Sequence, residues 1–170
     1  MKVGIEIVQN GDLDFTKVRY YTLKYIDQDK SEIDKFYEKY SEEYPKSVYF
    51  LKMWIQEIGE YKGALPQYFR KEDTVSALPP PAEELRRINI DGYQEKTKLR
   101  LYCIVLSPSV VLLVNGGIKE SKLLKDSPTC YEQYIFTGSI LNQINRMKRY
   151  GNLEIKEKDI ICSSAFNLTY

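Results

Sequence analysis

Apolar and polar residues alternate over residues 2–8 (KVGIEIV) and again over 17–26 (KVRYYTLKYI), the period of two that half-buries a strand. The polar QNGDLD stretch between them is turn chemistry, so the first 26 residues predict a hairpin. The period then changes. In DQDKSEIDKFYEKYSEEY, Ile33, Phe36, Tyr37, Tyr40 and Tyr44 recur at spacings of three and four, which makes one buried helical face. Ser31 followed three residues later by Asp34 resembles a capping box, with Asp in the place Glu usually takes. Pro45 suits the first turn of a second helix with apolar positions Val48, Leu51, Trp54, Ile55 and Ile58, ended by Gly59 or Gly63. Together the two make a helical hairpin.

From Gly63 to Pro81 the periodicity fades, and the triple proline reads as a surface connection with an extended stub. ELRRINI (84–90) reads as a strand and DGYQEKTK (91–98) as a polar link. LRLYCIVLSPSVVLLVNGGIKESK (99–122) follows as two β-branched runs around a Ser-Pro-Ser turn. Helical spacing resumes over 131–150 with Tyr134, Leu141, Ile144 and Met147, and one or two short strands end the chain. Grouped helices with successive antiparallel strands predict a single α+β domain, 1–170, with the helices on one face of a twisted antiparallel sheet. The core would span 31–130, the N-terminal hairpin (1–30) and the C-terminal helix and strands (131–170) being extensions.

The segment 99–122 carries the candidate chemistry. Alternation sends Leu99, Leu101, Cys103 and Val105 to one face and Arg100, Tyr102 and Ile104 to the other. If Val105 pairs with Val110 across the turn, Arg100 falls opposite Asn115, beside the Asn115-Gly116-Gly117 break and close to Lys119. The glycines would let the backbone come close to a ligand. Arg100, Lys119, Arg86 and Arg87 could then gather on one face around a phosphate. The competing reading is that Arg100 pairs with an acid such as Glu95 or Glu84 at a sheet edge.

Net charge is +1, but residues 86–150 hold eleven Lys and Arg against five Asp and Glu, leaving −5 for the rest. This asymmetry suits a phosphate-binding face, as does a chance distribution of solvated charge. The chain has no histidine, which removes Ser-His and Cys-His catalysis and the commonest zinc ligands. Its three widely spaced cysteines form neither a disulfide framework nor a zinc motif, so no metal or cofactor is expected. No apolar run is long enough to span a membrane and the first residues lack signal-peptide character, so a cytoplasmic protein is expected.

The order of a helical hairpin, a strand ending ELR, LRLY at 99–102, a tight turn, NGGIKES at 115–121 and a closing helix resembles the RelE/HigB-like toxins of bacterial toxin–antitoxin modules. In that family the strand arginine lies in a Tyr-Arg-hydrophobic-Tyr type motif, and the next strand ends in a His-Gly-Phe-x-Lys-Lys type segment. Here Asn115 stands where the family has histidine, and arginines replace the lysines common before the link. The resemblance implies metal-independent cleavage of messenger RNA, often on the ribosome, with the ribose 2′-hydroxyl attacking its neighbouring phosphate. On that basis Arg100, Lys119 and Arg87 hold the phosphate, with Tyr102 (or Tyr131) as acid or base. Arg86, Asn115, Lys122 and Lys125 contact RNA. The implied partner is an antitoxin, often with a helix-turn-helix DNA-binding domain. Two alternatives stay open: a ParE-like gyrase inhibitor, and an interaction module of phage or defence origin that binds without cutting.

Overall fold

The computed structural model describes residues 3–87, 97–162 and 168–170. The alternating N-terminal runs form β1 (Gly4–Asp14) and β2 (Arg19–Tyr25), paired antiparallel from Ile5↔Tyr25 to Asp14↔Arg19. Next come the two helices α1 (Glu32–Tyr40) and α2 (Pro45–Glu57). Ser31 caps α1, its Oγ accepting from the Asp34 N–H at 3.3 Å. The Asp34 carboxylate accepts from the Ser31 hydroxyl at 2.7 Å, so the shorter acid closes the cap on the side chain. Pro45 starts α2 as expected. One π-helical turn (Ile58–Lys62) extends α2, and the chain leaves it at Gly63, whose φ of 84° favours glycine.

Two expectations fail in the stretch that follows. Within the proposed surface connection lie β3 (Arg70–Glu72) and β4 (Val75–Leu78), joined by a tight turn with Asp73 at φ 55°. All four β4 residues are buried, but four residues are too few for a period to register. ELRRINI is not a strand at its start, since Ala82–Arg87 forms a short helix, α3. The Pro81 carbonyl accepts from the N–H groups of Glu84 and Leu85, and Glu83 and Glu84 occupy the first turn, where the helix dipole favours acids. Residues 88–96, with the rest of that strand and most of the polar link, lie outside the described residues.

β5 (Leu99–Ser107) and β6 (Val110–Ile118) form the expected hairpin, followed by α4 (Pro128–Arg149), β7 (Leu153–Lys156), β8 (Asp159–Cys162) and β9 (Leu168–Thr169). The fold is α+β. A seven-stranded sheet runs β3-β4-β5-β6-β2-β1-β9, and β7–β8 make a separate ribbon. Every pairing is antiparallel except β2 with β6, which run parallel from Arg19↔Val110 to Thr22↔Leu113. The N-terminal hairpin is thus built into the central sheet.

The helices do not all share one face. α1 and α2 cover Leu99, Leu101, Cys103, Val111 and Leu113, with Trp54 fully buried among them. α4 lies on the opposite face, where Phe136, Ile140 and Ile144 pack on Leu23, Ile104, Leu112 and Val114. Both faces of the central strands are covered, which explains runs such as VVLLV that are apolar throughout.

Candidate functional site

The face alternation of β5 is as the sequence predicts, with Leu101 and Cys103 toward α1–α2 and Tyr102 and Ile104 toward α4. The register differs by two residues. Arg100 pairs with Gly117, not Asn115, because the turn is tighter than expected: Ser107, not Val105, pairs with Val110, and the two bulges between there and Arg100 offset each other.

The glycines serve packing. A Cβ on Gly116 would overlap the Arg100 carbonyl and come within 2.8 Å of the Phe36 ring. A Cβ on Gly117 would lie 2.6 Å from the backbone of Thr129 and Cys130, the first turn of α4. The close approach is therefore strand to strand and strand to helix. The Thr129 Oγ1 accepts the Ile118 N–H at 3.0 Å, and Ser127 Oγ accepts the N–H groups of Glu120 and Ser121, fixing the chain from β6 into α4.

This junction brings three of the candidate residues together around an acid the sequence reading missed. Glu72, on β3 and only 6% exposed at its side chain, accepts the Tyr102 hydroxyl on Oε2 at 2.7 Å. Its Oε1 lies 3.4 Å from Lys119 Nζ and 3.9 Å from Arg100 Nε. The arginine does pair with a carboxylate, as the competing reading held, but with one from a neighbouring strand pair. Arg100 Nη1 donates to the carbonyls of Thr97 (2.8 Å) and Leu99 (3.1 Å), while its buried Nε makes no hydrogen bond among the described residues. Arg70, one position before Lys71 on β3, donates to the carbonyls of Pro79 and Pro80.

Burial, and then the nearby charge of Arg70, lower the pKa of Arg100, while Glu72 acts in the opposite direction. One guanidinium and one ammonium therefore share a buried carboxylate, and among the described residues one positive charge is left over. Tyr102 is fully buried; burial, followed by its bond to Glu72, drives its pKa far above the usual phenol value. A phenol so held is a poor proton carrier near neutrality. The Cys130 thiol, in contact with Tyr102, is pushed up to about 11, chiefly by burial.

Asn115, Lys122 and Lys125 do not join the cluster. Asn115 turns to the α1 side, where its Nδ2 donates to Glu32 Oε2 at 2.8 Å and its own Oδ1 accepts the Gly116 N–H. Its role is to tie β6 to the first turn of α1. Lys122 and Lys125 are exposed on the segment between β6 and α4. Arg86 and Arg87 end α3, not a strand. Tyr131, 43% exposed, stacks on Tyr134 with ring centres 6.2 Å apart, and the Tyr134 hydroxyl donates to Asp73, next to Glu72.

Glu72 and Arg70 escaped the sequence reading because FRKED sits in a stretch with no period to give it a face. No helix among the described residues is long and apolar enough to cross a membrane, and no group of three or more acidic or thiol side chains is placed to hold a metal. Family models, curated proteins and solved structures give no match to this chain. The likeness to RelE-type toxins thus stands on the quoted residues alone.

Proposed function

We propose that the protein binds single-stranded nucleic acid, RNA foremost, at the cationic corner formed by β3, β5 and the β6–α4 junction, and that it binds without cutting. The observation that carries this is the imbalance at Glu72. Arg100 and Lys119 share one carboxylate that is held mainly by Tyr102, so among the described residues cationic charge remains for an outside anion. The Tyr131–Tyr134 stack, exposed at Tyr131 and linked by the Tyr134–Asp73 bond to the residue after Glu72, offers a face for a base, the usual companion of cations in single-strand recognition. Against cleavage stands the missing acid–base pair, since Tyr102 is buried and committed to Glu72.

The test is fluorescence anisotropy of a labelled oligoribonucleotide with the wild type and Lys119→Gln, each checked by circular dichroism. Binding should weaken as salt rises, because phosphate contacts release counterions, and Lys119→Gln should reduce both the affinity and the salt slope. Absence of binding at low salt, or full binding by a folded Lys119→Gln, refutes the reading.

The convergence of Arg100 and Lys119 favours one second reading, the toxin ribonuclease implied by the sequence resemblance. Its partners would be an antitoxin and the messenger, free or ribosome-bound. Mapping transcript 5′ ends after expression in bacteria separates the two: cuts made by the wild type and absent with Arg100→Ala would establish the nuclease.

A further inference from the structure

We propose that the outer edge of β5, beyond the end of β4, is a docking groove for an extended acidic peptide segment of a partner protein, which adds to the sheet as a short strand. This goes beyond the nucleic-acid reading and does not depend on it.

β4 pairs with residues 101–103 and goes no further, whereas β6 continues beside β5 as far as Ser107. Residues 104–107 therefore have a strand on one side and, among the described residues, none on the other. Such an edge presents backbone N–H and C=O groups that a passing chain can pair with. One of these groups is open: the Leu106 carbonyl accepts from a side chain, Lys148 Nζ at 3.3 Å, where a strand would otherwise donate.

Past the end of β4 the edge opens into a notch of about 260 Å³. Val75, Ile104, Val105 and Leu141 give it apolar walls, and the exposed Lys71 and Asn145 stand at its rim. It is smaller than the roughly 300–1,000 Å³ of pockets that enclose small molecules. A chain running along the edge and dropping one apolar side chain into the notch fits it better.

Charge decides the occupant. Lys71 lies across Ser76 from Cys103 and so stands on the α1–α2 side of the sheet, while Lys148 reaches the edge from α4 on the other side. A strand in the groove sends its side chains alternately to these two sides, so an acid on either side meets a lysine. Both lysines are exposed, and among the described residues neither forms an ion pair with a carboxylate. A second copy of this chain would set these lysines against each other, so the groove fits a partner of opposite sign.

The experiment measures fluorescence anisotropy of three labelled heptapeptides with the full chain: alternating valine and glutamate, alternating valine and lysine, and the glutamate form N-methylated at every peptide nitrogen. The glutamate peptide should bind about 10-fold tighter than the lysine peptide, the range of two exposed ion pairs turned into repulsions. N-methylation, which removes the backbone donors, should abolish binding. Lys71→Glu combined with Lys148→Glu, its fold checked by circular dichroism, should reverse the preference. The bound glutamate peptide should slow amide hydrogen exchange at residues 104–107. No binding of the glutamate peptide, full binding of its N-methylated form, or slowed exchange only elsewhere in the chain overturns the proposal. Lys148→Gln that binds the glutamate peptide as tightly as the wild type, or more tightly, shows that this lysine only guards a bare edge, and overturns it as well. Self-association of the wild type in place of peptide binding gives the edge to a second copy and refutes the acidic partner.

Discussion

Replacing Gly116 with alanine separates packing from ligand approach as the reason for the glycine pair. The new Cβ would overlap the Arg100 carbonyl oxygen and sit 2.8 Å from both the Arg100 carbonyl carbon and Phe36 Cε2. The Phe36 ring can shift, but a backbone carbonyl inside a ladder cannot rotate away. Relief requires β5 and β6 to part locally. Overpacking of this kind costs about 1–3 kcal/mol, and one or two weakened ladder hydrogen bonds add about 1 kcal/mol each. The sum is roughly 2–5 kcal/mol. At about 2–4 °C per kcal/mol for a chain of this size, the melting temperature should fall by roughly 4–20 °C. Gly138→Ala gives the contrast: it lies within α4 with nothing within 4 Å of an added Cβ, so helix propensity should stabilise it by about 0.5–1 kcal/mol. Differential scanning fluorimetry reads both. A Gly116→Ala protein that melts with the wild type refutes the packing role, and a stable Gly116→Ala that has lost ligand binding would restore the ligand reading.

Two further predictions concern other parts of the molecule. Asp14 is hydrogen-bonded by Arg19 and Lys158, and these bonds hold its pKa below the usual carboxylate value. A depressed carboxylate stabilises the fold above its unfolded pKa, and that contribution is lost as pH falls through the folded value. Acid should therefore loosen the β7–β8 ribbon from the β1–β2 turn, and Asp14→Asn should flatten the acid limb of a melting-temperature profile; an unchanged limb refutes this. Among the cysteines, Cys103 and Cys130 are buried with raised pKa values whereas Cys162 is half-exposed. A thiol reagent should modify Cys162 first in native protein, with the other two reacting only on unfolding, as mass spectrometry of the labelled peptides would show. Early labelling of Cys130 would contradict the packing of α4 on Tyr102.

Long periodic segments announced themselves. The helical spacing of Ile33, Phe36 and Tyr40, Pro45 at a helix start, and the alternation through Leu101, Tyr102 and Cys103 all appear in the structure with the faces assigned. What escaped depended on short or long-range features. β3 and β4 have three and four residues, below the length at which alternation is visible. The Pro81-Ala82-Glu83-Glu84 start of α3 carries helix-start chemistry, a proline followed by first-turn acids, ahead of the apolar INI on which the strand reading of ELRRINI leans. Register across the hairpin shifted by two because the turn closes at Ser107 and Val110, and composition does not say whether two or four residues of LSPS make the turn. The partner of Arg100 could not be read at all, because nothing local to Glu72 says which strand edge it will join. So the cations at the site were visible and the anion at its centre was not.

The parallel pairing of β2 with β6 bears on how the molecule is made. Val110–Leu113 finds one neighbour in β5 across a tight turn, but its other neighbour was synthesised far earlier, before both helices of the α1–α2 pair. Pairings so distant along the chain close late and slowly. Until then β6 shows a bare apolar edge of the kind that templates self-association. A chain shortened by its first hairpin would keep that edge permanently, so it should collect in inclusion bodies instead of yielding a smaller working unit.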